Sequence, residues 1–273
     1  MSETRWTDSA WLRYQYADSE RLRIRAETHQ QFTVWDDQGE SAGDPYVGGF
    51  VRHVQPAPGL AVLDVGCGPG TFHLALSGMW IVGLDLSMGM LREARRLGTR
   101  CIQGDAQRLP FRDASFDRVT SNHMLFHVPD RELALREMRR VLRHGGRAVL
   151  TTNGNPFLPR LAELHTEVAR AAGLVPQPGG VSRFTMDDLE LVQRVFPNAQ
   201  RHVLSGALVV PDADSVLRYY ASSAVDRVAD APADGSHRPI LLNAMRRRLE
   251  AITAAEGAFK DPKTAGWFTA QLE

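Results

Sequence analysis

Three aspartates close three successive short apolar runs in the first half of the chain: Asp64, Asp85 and Asp105. The first stands two residues before a glycine loop. The glycines of this loop are Gly66, Gly68 and Gly70. Glycines at the end of a strand let backbone N–H groups approach a ligand closely. A carboxylate in the same place attracts an ammonium group and repels a pyrophosphate. The combination therefore favours an amine-bearing nucleoside as the ligand.

The glycine spacing separates this loop from two other phosphate-binding loops. A P-loop has a lysine directly after its last glycine, and no lysine lies near this loop. A dinucleotide loop has a third glycine where this chain has Thr71. A nicotinamide-dependent oxidoreductase is therefore the disfavoured alternative, although the loop alone leaves it open.

The other two aspartates indicate which nucleoside the site would take. Asp85 follows Gly66 by 19 residues, the distance at which an acid on the neighbouring strand accepts ribose hydroxyls. Asp105 can accept the exocyclic amine of adenine, and the N–H of Ala106 can reach a ring nitrogen. With Asp64 for the amine, the three acids predict a site for S-adenosylmethionine.

The elements that must position these acids alternate regularly between residues 61 and 153. Short apolar runs of strand length are separated by segments with helical spacing, which predicts a doubly wound α/β domain with a mostly parallel sheet covered on both faces. The predicted strands are AVLDVG (61–66), WIVGLDL (80–86), RCIQGDA (100–106), FDRVTSN (116–122) and GRAVLTTN (146–153).

The flanking segments have a different character. Residues 9–35 carry aromatic and basic residues at roughly helical spacing, and 36–49 has the composition of a loop. After the fifth predicted strand, a helix between proline-rich breaks predicts an inserted cap. Further predicted elements are the helix FTMDDLELVQRVFP, the strand QRHVLSGALVV, the helix DADSVLRYYASSAV and a final strand, GWFTAQL. The predicted organisation is lid helices (1–48), a cofactor-binding core (49–153), and a substrate cap with closing strands (154–273).

Four motifs within 60–153 resemble the class I S-adenosylmethionine-dependent methyltransferases, in particular the small-molecule branch related to ubiquinone and menaquinone biosynthesis. The motifs are VLDVGCGPGT, GLDLSMGML, GDAQRLPFRDASFD and EMRRVLRHGG. The resemblance implies a seven-stranded Rossmann-like sheet, with GWFTAQL as the seventh strand. It also implies that S-adenosylhomocysteine is the product left by the cofactor.

The resemblance further implies which residues bind the cofactor. Asp64 and the three glycines would line the methionine end, and Asp85 with Leu86 the ribose and adenine. Asp105 and Ala106 would lie at the adenine edge. The remaining predicted cofactor contacts are Cys67 in the glycine loop, Met90 on the following helix, and Ser121 and Asn122 at the fourth strand tip.

Two histidines beyond that strand tip, His123 and His127, are the candidates for chemistry at the acceptor. Methyl transfer is an in-line displacement in which much of the catalysis can be positioning, with a base needed for a protonated nucleophile. Histidine titrates near neutrality and suits that role. The alternative is structural, with His127 hydrogen-bonding its own loop.

The N-terminal aromatic segment is predicted to fold over the cofactor as a lid. Relatives in the family place a lid tyrosine near the methyl group, which makes Tyr14 a catalytic candidate and Tyr16 a cofactor contact. Arg25, or alternatively Arg21, would reach the cofactor carboxylate. The competing interpretation is an ordinary amphipathic helix whose aromatic residues only pack.

Charge and composition exclude several classes of protein. The 273 residues include 32 basic and 32 acidic ones, so no net field attracts nucleic acid or an anionic membrane. The N-terminus lacks a signal-peptide pattern, and no run is long enough to span a bilayer. Two distant cysteines indicate neither a disulfide framework nor a metal site. The sequence predicts a cytoplasmic monomer or homodimer without a metal, a membrane or a nucleic-acid partner.

The expected acceptor is a small, largely apolar or aromatic metabolite, methylated on oxygen or nitrogen with carbon as a further candidate, as in natural product biosynthesis. The fourth strand tip, SNHM, does not resemble the [DN]-P-P-[FY] motif of enzymes that methylate DNA or amino groups on bases. The alternative is a protein that binds S-adenosylmethionine without transferring its methyl group. The arginine stripe at 136, 139, 140 and 143 is interpreted as the solvated face of a helix.

Overall fold

A computed structural model describes residues 19–36, 44–177, 184–229, 231–232 and 234–273. Its strands form one sheet in the order β1-β7-β8-β6-β5-β2-β3-β4. These strands are β1 (Thr33–Trp35), β2 (Ala61–Val65), β3 (Trp80–Asp85), β4 (Arg100–Gln103), β5 (Phe116–Asn122), β6 (Leu142–Phe157), β7 (Gln200–Val210) and β8 (Phe259–Gln271).

Helices cover the sheet on both faces. They are α1 (Glu20–Phe32), α2 (Pro45–Val54), α3 (Met88–Arg96), α4 (Arg131–Val141), α5 (Pro159–Ala171), α6 (Leu189–Val195), α7 (Ala213–Ser223) and α8 (His237–Glu256), with short 3-10 helices at Thr71–Leu76 and Leu125–His127. Because both faces are covered, the central strand β2 is buried from Val62 to Val65. Among the residues described, no helix is long and apolar enough to cross a membrane.

The predicted doubly wound fold is confirmed, with one strand more than expected. Strands β2 to β6 pair in parallel, and β8 and β7 follow antiparallel. The additional strand is β1, which pairs with Gly206 to Leu208 of β7. It comes from the end of the segment predicted to be helical to residue 35. The β-branched pair Thr33 and Val34 favours the extended conformation there.

Two helices differ from the sequence-based expectations. The segment 36–49 was expected to be a loop, yet α2 begins at Pro45, where the Asp44 side chain accepts a hydrogen bond from the N–H of Tyr46 (2.9 Å). An aspartate followed by proline is the usual start of a helix, so this signal was present in the sequence. The expected boundary between residues 48 and 49 consequently falls inside α2. Helix α8 was not anticipated at all.

The cap expected after the fifth predicted strand is present. Strands β6, β7 and β8 continue past the carboxyl ends of β2 to β5, and α5, α7 and α8 pack around this extension in a core of their own. Helix α1 packs against α7. The carboxyl edge of the sheet therefore lies between the glycine loop on one side and the cap on the other.

The arginines of the predicted stripe form ion pairs within the chain, but Arg143 lies on β6 and not on α4, because the helix ends at Val141. Arg136 pairs with Glu132, Arg140 with Glu137 and Asp113, and Arg143 with Asp117. The pairs of Arg136 and Arg140 favour the interpretation of the α4 part of the stripe as a solvated helix face. The absence of a nucleic-acid partner stays a prediction.

Candidate active site

The glycine loop after β2 requires its glycines for conformational reasons. Gly66, Gly68 and Gly70 have φ values of +72°, +53° and +81°, in the left-handed region that residues with a side chain rarely adopt. At Gly66 a Cβ atom would also lie 2.1 Å from the side chain of Met124. Its N–H donates to the carbonyl of Leu84 in β3 (2.7 Å), which fixes the loop against the neighbouring strand.

Asp85 joins the glycine loop to the start of α3. One carboxylate oxygen accepts a hydrogen bond from the N–H of Gly68 (2.9 Å), and the other accepts from the N–H of Ser87 (2.8 Å). A carboxylate offers about four lone-pair sites, so both oxygens retain capacity for further donors. Burial raises the pKa of Asp85 above its ordinary value. The next residue, Leu86, is 58% exposed and presents an apolar side chain at this edge.

Asp64 forms the centre of a buried network beneath the loop. Its carboxylate is 1% exposed and accepts hydrogen bonds from Thr120 (2.8 Å), Asn122 (3.0 Å) and Nε2 of His73 (2.9 Å). It thus ties β2 to the tip of β5 and to the helix that follows the glycines. A direct contact with an ammonium group stays a prediction. His73 was not predicted from the sequence as a partner of Asp64, although it lies only nine residues further along the chain.

The remaining predicted cofactor residues lie along the same edge. Asp105 is exposed and accepts hydrogen bonds from the backbone and side chain of Gln107. Ala106 and Met90 are buried. Cys67 is buried too, and burial raises the pKa of its thiol. A reactive thiolate is therefore disfavoured, in agreement with a packing role inside the loop.

At the tip of β5, Ser121 and Asn122 have different surroundings. The Ser121 hydroxyl is buried and has no hydrogen-bond partner among the described residues. The Asn122 amide donates to Asp64 and accepts from Thr151 of β6 (3.3 Å). An orphaned buried hydroxyl beside an amide bonded on both sides is compatible with a ligand that supplies the missing partner.

His123 directly follows β5 and pairs with a tyrosine that the sequence analysis did not select. Its Nε2 lies 2.7 Å from the hydroxyl oxygen of Tyr46 in α2. Burial, with the charge of Lys263, lowers the pKa of His123 to about 4, and burial raises that of Tyr46. The histidine is therefore neutral and the tyrosine protonated at pH 7, and the two share one hydrogen bond along this contact. The direction of this bond depends on the tautomer of His123, and Tyr46 has Thr151 as a further hydrogen-bond partner.

The backbone of His123 is also unusual, with a φ of +51°. Left-handed conformations of residues other than glycine carry strain and are often found at functional sites. His127 lies at the end of the 3-10 helix Leu125–His127, where its ring packs on Phe126 at 4.4 Å. The segment is not a continuous helix from one histidine to the other, and the two rings have different neighbours.

Helix α1 runs from the glycine loop to the cap. The side chain of Leu22 lies 3.5 Å from the position of a Cβ atom on Gly68. Arg21 pairs with Asp226 after α7 (3.3 Å), and His29 contacts Tyr219. This placement supports the lid prediction for the described part of the segment. The charge of Arg25 acts on His29, and its contact with a cofactor carboxylate stays a prediction. Tyr14 and Tyr16 lie outside the described residues.

A buried polar cluster unknown from the sequence analysis lies between α1 and β8. Lys263 is 5% exposed, and its Nζ donates to Nδ1 of His29 (3.2 Å) and to the hydroxyl of Thr33 (3.1 Å). Nζ also lies 4.7 Å from the ring centroid of Trp35. The second nitrogen of His29 lies 3.2 Å from the hydroxyl of Tyr219. Burial lowers the pKa of Lys263 to about 8 and holds that of His29 well below its usual range.

Replacing Lys263 by methionine is expected to raise the free energy of unfolding at pH 7 by about 1–3 kcal/mol, because a buried charge is removed at nearly constant volume. The folded-state pKa of about 8 lies below the ordinary value of 10.5. The unfolded chain therefore holds more protons between these values, and the stability of the unsubstituted protein rises with pH there. Urea unfolding should show that the free energies of unfolding of the variant and the unsubstituted protein differ less at pH 9.5 than at pH 7. A difference independent of pH would contradict this account.

The comparisons with known proteins agree with this geometry. A profile of the methyltransferase domain matches residues 63–150. The chain is 39% identical over 129 residues to malonyl-[acyl-carrier protein] O-methyltransferase of Erwinia pyrifoliae, covering 46% of this chain and 49% of that protein. It is 44% identical over 112 residues to demethylmenaquinone methyltransferase of Mycobacterium sp. (strain KMS), covering 40% and 49%. The aligned stretches thus span about half the length of these relatives.

A solved structure extends the similarity of the fold to nearly the whole chain. The [4+2]-cyclase SpnF aligns with a TM-score of 0.57 at 18% identity, covering 95% of this chain and 94% of that protein. Sheet, glycine loop and profile together define a class, the Rossmann-like methyltransferases. Through its domain at residues 63–150, these findings support a class I S-adenosylmethionine-dependent methyltransferase of the ubiquinone and menaquinone type. The family and the cofactor predicted from the sequence are confirmed.

Proposed function

We propose that this chain transfers a methyl group from S-adenosylmethionine to an oxygen or nitrogen atom, with carbon as the third candidate, of a small apolar or aromatic metabolite. One observation carries the proposal: Asp85 is held by the glycine loop with lone pairs left on both of its oxygens. That arrangement suits the two hydroxyls of a ribose. When bound, the cofactor supplies an electrophilic methyl group on a sulfonium.

The chain's own residues would then bind and shield the cofactor. The glycine loop offers backbone N–H groups, Asp85 and Leu86 face the ribose and adenine, and Asp105 with Ala106 the adenine edge. Leu22 of α1 covers the loop near Gly68 and would exclude water. Exclusion of water strengthens the electrostatic interactions inside the site. Tyr14 and Tyr16 remain candidates for completing the lid.

His123 is the proposed base at the acceptor, with His127 as the alternative. A neutral imidazole is needed to take a proton, and the lowered pKa keeps His123 neutral at pH 7. A base with a pKa of about 4 is weak, but an alcohol or phenol becomes strongly acidic as a methyl group adds to its oxygen. The proton can therefore pass to Nδ1 of His123 late in the transfer, in the tautomer whose Nε2–H donates to the Tyr46 hydroxyl and so holds the ring in place.

The cap supports a small apolar acceptor. A small cleft of about 40 Å³ lies there between α5, α7 and the end of β6, with Phe157, Leu161 and Tyr219 among its lining residues. Its lining is mostly apolar, as in many small-molecule sites. The names of the matched relatives include a quinone-type and an acyl-carrier acceptor, which support a biosynthetic role. A cytoplasmic monomer or homodimer in natural product biosynthesis remains part of this proposal.

Calorimetric titration is expected to show micromolar binding of S-adenosylhomocysteine and none of NAD⁺, because Asp64 beside the loop disfavours a pyrophosphate and Thr71 replaces the third glycine of a dinucleotide loop. Incubation with methyl-labelled cofactor and a panel of aromatic alcohols and amines should then label at least one acceptor. Binding of the cofactor without transfer to any acceptor would favour a protein that uses S-adenosylmethionine otherwise. Binding of NAD⁺ instead would refute the proposal.

A further inference from the structure

Lys263 carries a positive charge in an almost dry environment, and its hydrogen-bond partners in the described part of the chain are neutral. His29 and Thr33 supply them, and Trp35 lies across from Nζ. No ion pair joins Lys263 to a carboxylate within that same part of the chain. Buried charges in proteins are normally paired, since an isolated one is expensive to desolvate. A site with such a charge is suited to a ligand that brings the opposite one.

The nearby acids are engaged elsewhere. Asp44 is the acid whose charge acts on Lys263, but its carboxylate accepts hydrogen bonds from Nε1 of Trp35 (3.1 Å) and the N–H of Tyr46. Asp261, two residues before Lys263, accepts from the N–H groups of Arg160 and Leu161 at the start of α5.

Apart from Asp44, which acts on Lys263, and Asp261, which raises the pKa of Tyr219, the charged groups that act on this cluster are positive. The charges of Arg25 and Arg227 both lower the pKa of Tyr219, which contacts His29. Arg25 and Lys263 also lower the pKa of His29 itself. The balance of charge around the cluster therefore favours an anion.

The position of the cluster connects it to the proposed methyl-transfer site. Lys263 and Trp267 are four residues apart on β8 and so share a face of the sheet. That spacing corresponds to about 13 Å along the strand. Trp35 stacks on Tyr46 (6.0 Å, 15°), and Tyr46 bonds to His123. A continuous aromatic wall thus leads from the ammonium group of Lys263 to His123.

We propose that Lys263 binds an anionic group of the methyl acceptor, a carboxylate or a phenolate, while the atom to be methylated lies toward His123. The aromatic wall of Trp35 and Tyr46 would stack on the ring between the two ends. The cap cleft adjoins the cluster through Phe157 and Tyr219. The inference rests on the proposed function and narrows its acceptors to aromatic or apolar acids.

The test compares acids with their neutral amides by calorimetry in the presence of S-adenosylhomocysteine. Suitable pairs of increasing size are benzoate and benzamide, 4-hydroxybenzoate and 4-hydroxybenzamide, and 1-naphthoate and 1-naphthamide. At least one acid should bind the unsubstituted protein about 10-fold more tightly than its amide, as expected for a charge-assisted contact. Lys263→Met should reduce this ratio to about one, and Lys263→Arg should retain part of it.

Lys260→Met is the matched control, because Lys260 lies on the same strand but is exposed. It should leave the preference for acids unchanged. Unfolding curves of each variant separate a lost contact from a lost fold. No preference for acids in any pair, or a preference that survives Lys263→Met, would overturn the inference. A fall in S-adenosylhomocysteine affinity in Lys263→Met would overturn it too, since Lys263 would then serve the cofactor carboxylate.

Failure of the proposed function has a different signature. If S-adenosylhomocysteine does not bind the unsubstituted protein, the cofactor assignment fails. The acid and amide pairs are therefore also titrated without it. If acids still bind more tightly than their amides in this second titration, and Lys263→Met removes the preference, Lys263 forms an anion site whether or not the protein transfers methyl groups.

Discussion

Replacement of Asp85 by alanine should weaken the binding of S-adenosylhomocysteine about 100-fold or more, because two hydrogen bonds from ribose hydroxyls to a charged acceptor, together worth about 3 kcal/mol, are lost. The variant also frees the N–H of Gly68, which loosens the loop that approaches the cofactor. Isothermal titration of both proteins at pH 7.5 measures the effect.

Ser87→Ala is the matched control for this prediction. Ser87 accepts a hydrogen bond from the N–H of Met90 at the start of α3, so its loss perturbs the same turn without removing the carboxylate. The affinity of the Ser87→Ala variant for S-adenosylhomocysteine should change by a factor of about three at most. Equal losses in the two variants would assign the effect to the turn and not to the acid. Since burial raises the pKa of Asp85, affinity should also decline on acidification before an ordinary carboxyl group would protonate.

The sequence predicted those parts of the fold and site whose determinants are local. The glycines, Asp64 and Asp85 lie within 22 residues, and short apolar runs on either side indicate buried parallel strands. The helix start at Asp44 and Pro45 was equally local but was masked by its glycine-rich and acidic surroundings.

The acceptor side depends on contacts between distant parts of the chain. Lys263 and His29 are 234 residues apart, and Tyr46 and His123 are 77 apart. They meet because β8 returns antiparallel between β6 and β7, and because β1 adds to the outer edge of β7. No periodicity in the sequence indicates such pairings. The lysine itself stands in FKDPKTAG, a stretch whose polar residues and proline resemble a loop more than a buried strand.

His123 provides the second large effect. His123→Asn should lower kcat/KM for the acceptor found by the labelling screen by about 100-fold to 1,000-fold, in the range of general-base contributions. Asparagine is the suitable replacement because it tolerates the left-handed backbone at this position, with a φ of +51°. The loss then reports on the imidazole and not on strain. Affinity for S-adenosylhomocysteine should stay within a factor of about three, since Asp85 and the glycine loop are untouched.

The pH dependence distinguishes a base from a residue that only positions the acceptor. A base must be neutral, so kcat/KM should rise with pH through about 4, the pKa of His123. Around pH 7 the titration of His123 is complete and no longer changes kcat/KM. In His123→Asn that rise should disappear. The kcat/KM of the variant should therefore approach that of the unsubstituted protein as the pH is lowered. A positioning residue would lower kcat/KM by the same factor at every pH and leave the rise in place. His127→Asn completes the comparison. If it lowers kcat/KM as much as His123→Asn does, or more, the base is His127, and the pair of Tyr46 and His123 shapes the wall of the site.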